Sequence, residues 1–195
     1  PDNEEEASQF SQELRYAGEI NDRLDFIIGG FYLDAEQSVI ERRQFSGLTA
    51  GRDHFDYNHT QGAFTQDVKS TAVFGNVRWG FTDTLTLNAG IRFSREEKDL
   101  SVTLLTLCTG EGFSGCSNAK TRVNDDWSNT SPRVALEYRP SDELMVWGSW
   151  TRGFRSGNYN ARAPSIAALG PADPEQADQL EICLLYTSPS PRDSD

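Results

Sequence analysis

Cys108 and Cys116 sit close together in CTGEGFSGC, a Gly-rich stretch between strand-like runs. Neither has a CxxC partner or a nearby histidine, which argues against a zinc site. A local disulfide fits better and implies an oxidising compartment, such as a periplasm or a cell surface. Closing so short a loop stabilises by roughly 2–3 kcal/mol at most. Two free loop thiols are the alternative. If the bond forms, the Cα atoms lie within about 7 Å of each other. Thiol labelling without reductant should then find both sulfurs unreactive, and two reactive thiols would count against the bond.

Other side chains with chemistry to offer are scattered. His54 and His59 lie with Asp53 and Asp56 in DHFDYNH, a set that could hold a metal but equally suits a solvated acidic loop. Arg152 and Arg155 flank Gly153-Phe154 at the end of a strand-like run and could meet an anionic ligand as charge-assisted donors. Pairing with neighbouring acids or with lipid phosphates is open to them as well. Phe10, Trp150 and Tyr159 have rings able to stack on a ligand, though nothing in their spacing selects one. No Ser/His/Asp arrangement, phosphate loop or paired-carboxylate signature stands out. No enzyme, no cofactor and no metal site is expected.

The elements that would position these residues read as strands. Ser131–Tyr138 alternates, with Val134, Leu136 and Tyr138 opposed to Arg133, Ala135 and Glu137. Arg139-Pro140-Ser141-Asp142 is turn chemistry, and Leu144–Arg152 returns as a second arm. Leu85–Arg95 is the cleanest strand: Leu85, Leu87, Ala89, Ile91 and Phe93 face one way, and Thr86, Asn88, Gly90, Arg92 and Ser94 the other. Its partner is Ser70–Gly80, across a tight turn at Phe81–Thr84. Ser8–Tyr16 and Leu24–Glu36 form a third hairpin around a short polar turn, Ala17–Arg23, with Gly29 and Gly30 expected to relieve a bend or bulge. Ala177–Ile182 begins a seventh strand. After the hairpins come long spans: a polar one of about 37–69 with no sustained periodicity, a second polar one of about 96–130, and a third at 154–174.

Composition sets bounds. The chain has 195 residues, 36% hydrophobic, and a net charge of −12. That acid excess argues against nucleic acid as a partner, since phosphates require a basic footprint. The densest apolar patch, Phe26–Leu33, is far too short for a spanning helix. The chain opens on Pro1 with no leader-like segment and is expected to be part of a longer precursor.

Short turns and long spans alternate three times, a regularity that ordinary sandwiches lack. Transmembrane β-barrels have it, with short turns on one rim and long loops on the other. A charge facing hydrocarbon near the midplane costs roughly 2–4 kcal/mol, so Arg92 is expected to point inward. Tyr16, Phe26, Trp79, Phe81, Tyr138 and Trp147 gather near the tight turns and are expected to form an interfacial girdle.

The run SPRVALEYRPSDELMVWGSWTRGFRSGNYN, followed by Pro174-Glu175 and ADQLEI, resembles the barrel of a TonB-dependent outer-membrane receptor. FGNVRWGFTDTLTLNAGIRFSREEKD resembles the neighbouring hairpin of the same family. The resemblance covers nearly all of Gln9–Ile182. It implies an all-β, antiparallel transmembrane barrel of about 22 strands with a plugged lumen, of which this chain supplies about seven. It also implies a bacterial outer-membrane location, contact with outer-membrane lipid, and uptake of a ferric siderophore or similar scarce nutrient. Uptake would be energised by the TonB complex through a plug domain, which nothing here matches. A passive porin or surface-adhesion barrel shares the strand signature. A soluble secreted β-sandwich that binds carbohydrate would need polar residues on the face assigned to lipid.

Residues 183–195 depart from the pattern. After QLEI the family continues with Gly and more strand, whereas CLLYTSPSPRDSD resembles a translated sequencing-library adapter. The partial barrel is therefore placed at 1–182. Leaving out Arg192, Asp193 and Asp195 moves the net charge from −12 to −11, and the odd third cysteine, Cys183, goes with them.

Overall fold

The computed structural model describes residues 2–47, 56–107, 120–163 and 165–186. They form β1 (Asp2–Asn21), β2 (Leu24–Gly47), β3 (Asp56–Gly80), β4 (Leu85–Leu107), β5 (Lys120–Ser141), β6 (Leu144–Arg155) and β7 (Glu175–Tyr186). All seven lie in one sheet in chain order, and each pair of neighbours is antiparallel. The expected meander of hairpins is therefore the fold. β1 and β7 are its two open edges.

The strands are much longer than alternation alone indicates. Most of the span 37–69 is the upper part of β2 and β3, in register from Gln37↔Gln66 to Gly47↔Asp56. Most of 96–130 is likewise the upper part of β4 and β5, paired from Glu96↔Trp127 to Thr103↔Lys120. Backbone pairing needs no apolar face, so strands that leave hydrocarbon for water lose their sequence signature and keep their hydrogen bonds. The tight turns are also shorter than expected. Only Asp22–Arg23 and Asp142–Glu143 turn at two of them, while Phe81–Thr84 is as expected. Pro140 is tolerated inside β5 because the β5–β6 register shifts between Tyr138 and Ser141, where no ladder donor is required.

Gly29 relieves no bulge, since the β1–β2 and β2–β3 registers pass through it unshifted. A Cβ there would collide with the Phe74 ring and lie 2.7 Å from the Leu14 carbonyl oxygen. Its role is to let the Phe74 ring lie across β2.

Among the described residues the long connection is 156–174, without residue 164, between β6 and β7. It folds back over one face of the sheet and carries a single 3-10 turn, Ile166–Ala168. Tyr159, Ala163 and Leu169 from this connection bury Leu100 and Val102 of β4, with Phe64, Val123 and Trp127 packed around them. Among the described residues this is the hydrophobic core, and it lies at the end of the sheet away from the tight turns.

Candidate functional site

β4 defines the two faces. On one, Leu85, Leu87, Ala89, Ile91 and Phe93 line up through the register with Phe26, Ile28 and Tyr32 of β2 and with Val73, Val77 and Trp79 of β3. The same row continues into Val134, Leu136 and Tyr138 of β5 and Leu180, Ile182 and Leu184 of β7. Among the described residues nothing covers this face: Leu14 is 76% exposed and Ile182 77%. Leu85–Phe93 covers about 27 Å of strand at ~3.4 Å per residue. Tilted as barrel strands are, that matches an apolar band roughly 20–25 Å tall.

Aromatics bound the band on both sides. At the tight-turn end Tyr16 packs on Phe26 at 5.9 Å and Trp79 on Phe81 at 4.0 Å, with Tyr138 beside them. Trp147 is not in this girdle. It pairs with Glu137 and Cys183 and so, with a period of two, faces away from Tyr138 and Val146. At the other end Phe10 and Tyr32, 6.4 Å apart, share the apolar face with Phe93 and Trp150, which step diagonally across the strands as a second girdle that the tight turns gave no reason to expect. Two residues further along from Tyr32, Phe93 and Trp150 come Asp34, Arg95 and Arg152, and with Lys69 opposite Asp34, Asp126 beside Arg95 and Asp178 beside Arg152 they make a stepped row of charge on the same face.

Arg152 belongs to that row. Its guanidinium lies over the Trp150 ring at 5.6 Å and grips Asp178 through two hydrogen bonds of 2.9 and 3.0 Å. Arg155 shares the opposite face with Thr151 and reaches Glu175 only at 3.9 Å. The two arginines therefore point to different sides of the sheet. Cys108, Cys116, Asp53 and His54 lie outside the described residues. Asp56 and His59 are carried on β3.

The second face is polar and carries the docked connection. Asn158 accepts from Gln66 at 3.2 Å, and the Gly157 carbonyl accepts from Lys98 at 2.9 Å. Ser156 donates to Glu96, and Arg162 donates to Glu41 of β2 at 2.9 Å. The Tyr159 hydroxyl donates to Asp125 at 2.7 Å. Burial first, and that hydrogen bond second, push the phenol well above its ordinary range, so it stays protonated and keeps donating. A side chain at Gly157 would sit 2.5 Å from both Trp127 and the Ala172 carbonyl oxygen. Gly157→Val should therefore undock the connection. The readout is trypsin cleavage after Arg162 on intact cells, fast in the variant and slow in the wild type; equal rates would show that the docking does not depend on this contact.

Nearer the tight turns the polar face holds a flat stack. Arg92 lies between Phe31 and Phe74, 5.3 and 5.5 Å from their ring centres, and Arg15 lies over Phe74 at 5.9 Å while pairing with Glu13. Arg92 thus points away from the apolar face, as its cost in hydrocarbon requires.

A sheet with an open apolar band, an aromatic girdle at each edge and a polar second face is the wall of a membrane barrel. The family described as TonB dependent receptor-like, beta-barrel, matches residues 2–188. The chain belongs to that family. Two solved structures share the fold. The ferric yersiniabactin uptake receptor FyuA from Yersinia pestis superposes with a TM-score of 0.72 at 15% identity, over 95% of this chain and 27% of that one. The siderophore receptor PiuA from Acinetobacter baumannii does so with 0.66 at 15% identity, over 93% of this chain and 29% of that one. The chain thus spans less than a third of either receptor. In a transmembrane barrel the apolar face meets lipid and the polar face lines the lumen, and the connection 156–174 packs on the polar face. Strand pairing continues past Ile182, from Trp147↔Cys183 to Leu144↔Tyr186.

Proposed function

We propose that this chain is a seven-stranded part of an outer-membrane receptor that imports a ferric siderophore or another iron complex, energised by the TonB complex through a plug domain. Membership of the TonB-dependent receptor family over 2–188 is the observation that carries it. The apolar band supports a place in the bacterial outer membrane, with lipid as its outward partner. The role is transport, with no catalytic step. Arg155, on the lumenal side, is the better placed of the two sequence-selected arginines to meet an anionic ligand, whereas Arg152 holds the outer edge of the band through Asp178. A soluble carbohydrate-binding sandwich would bury the apolar face against a second sheet, and the described residues form one sheet with that face open.

The test is uptake of radioactive iron complexes by host cells with and without the gene, before and after a protonophore. Uptake that needs both the gene and the proton gradient is expected. Gene-dependent passage that ignores the protonophore and sorts solutes by size would instead make the barrel a passive porin. We also propose that residues 183–195 are adapter-derived. Genomic sequence across codon 182 should continue the strand with Gly, and an unchanged CLLYTSPSPRDSD would overturn that.

A further inference from the structure

On the lumenal face Gly90 of β4 leaves a gap. Its same-face neighbours are Asn76 of β3 and Arg133 of β5 across the ladder, and Asn88 and Arg92 along its own strand. Each of the four offers N–H donors, and none is a carboxylate. The Asn76 amide nitrogen leans in, 2.7 Å from where a Cβ of residue 90 would sit. Arg92 is held in place by the Phe31 and Phe74 rings, so its fork is oriented before any partner arrives.

The two arginines beside the gap have no acid partner among the described residues. Its own row across the sheet is Ala17, Ile27, Asn76, Gly90, Arg133, Thr151 and Gln179. The flanking row of Arg92 carries Arg15, Gly29, Phe74 and Ser131, and the next carries Glu13, Phe31, Ala72, Ser94 and Asn129. Glu13 is the sole carboxylate in these three rows, and it is taken by Arg15. On the other side the row of Asn88 carries Glu19, Asp25 and Glu181, of which Asp25 is taken by Arg78, and none of the three is in an ion pair with Arg92 or Arg133. Elsewhere most arginines of this acidic chain do have one: Arg23 with Asp83, Arg78 with Asp25, Arg122 with Asp99, Arg152 with Asp178. Two adjacent guanidiniums thus stand without an acid partner, on the face that a closed barrel turns to its lumen.

We propose that Asn76, Asn88, Arg92 and Arg133 form an oxyanion site over Gly90, which takes a carboxylate or a comparable anion presented from the lumen. The proposal rests on the barrel reading, which makes this face lumenal. The anion comes either from solution or from whatever part of the receptor fills the lumen, and one set of measurements separates the two.

The complete receptor, purified in detergent at low ionic strength, is titrated with citrate and melted as wild type, Arg133→Gln, Arg133→Lys and Gly90→Val. A soluble anion predicts that wild type binds citrate and that Arg133→Gln and Gly90→Val each weaken binding about tenfold, the worth of one charge-assisted hydrogen bond, with Tm unchanged. An internal carboxylate predicts no citrate binding and a Tm lowered by several degrees in Arg133→Gln, with most of the loss recovered in Arg133→Lys. Arg133 is the residue to change because it is exposed and makes no side-chain hydrogen bond, ion pair or ring contact among the described residues, so loss of wall packing is a small part of any effect. Citrate binding and Tm both indifferent to Arg133→Gln and Gly90→Val would overturn the site, as would equal Tm losses in the Gln and Lys variants. Lipid exposure of the other face is measured independently, so failure here is distinguishable from failure of the barrel assignment.

Discussion

Residues 1–182 expressed alone in buffer should aggregate, or stay dispersed only in detergent. A lone seven-stranded sheet leaves β1 and β7 with unpaired backbone groups, which in a closed barrel would find partners. It also presents the whole apolar band to water. Each large apolar side chain left exposed forgoes roughly 1.5–3 kcal/mol. With Leu14, Ile28, Val73, Ile91, Leu136 and Leu180 among those exposed, a handful already equals the roughly 5–15 kcal/mol net stability of an ordinary domain. The core beneath the 156–174 connection is too local to offset that. Size-exclusion chromatography with and without detergent checks this; a monodisperse soluble monomer with a cooperative melt would overturn the barrel assignment and revive the sandwich.

The second large effect separates the faces at a single strand. Ala89 lies mid-band, paired with Val77 and Val134, and its small side chain means that Ala89→Arg adds charge without removing much apolar surface. A charge there should cost about 2–4 kcal/mol in a bilayer. Ser94→Arg, on the lumenal face beside Ala72 and Asn129, should cost far less. Folded yield in outer membranes, and denaturant midpoints of the refolded receptor, report the difference. Equal losses at both positions would mean that neither face meets lipid.

Most of the membrane-embedded half was legible because hydrocarbon writes a period of two into the sequence. Leu85–Phe93 and Val134–Tyr138 show it, and the inward placement of Arg92 followed from its cost on the other side. The outer half was not legible for the converse reason. In Gln37–Gly47 or Glu96–Leu107 both faces of the strand tolerate polar residues, so the alternation vanishes while the ladder continues. The second girdle was missed because Phe10, Tyr32, Phe93 and Trp150 are far apart in sequence and come to one face only through strand pairing. The docked connection had one local signal, Gly157 within RSGNYN, but its partners Trp127, Lys98 and Glu41 lie on three other strands. Gly29 misled in the same way: its neighbour is the ring of Phe74, a contact that local turn chemistry does not foretell.

The central claim is that one face of this sheet meets lipid and the other a lumen, and residues 85–94 of β4 test it most directly. Nitroxide labels are placed one at a time at these positions in the complete receptor, reconstituted in bilayers, and collision rates are measured with oxygen, which concentrates in hydrocarbon, and with a water-soluble nickel chelate. Oxygen accessibility should be high at 85, 87, 89, 91 and 93 and low at 86, 88, 90, 92 and 94, with the chelate excluded from the first set. A profile with no alternation, or one with the even positions exposed to oxygen, would contradict the assignment of the faces and with it the barrel.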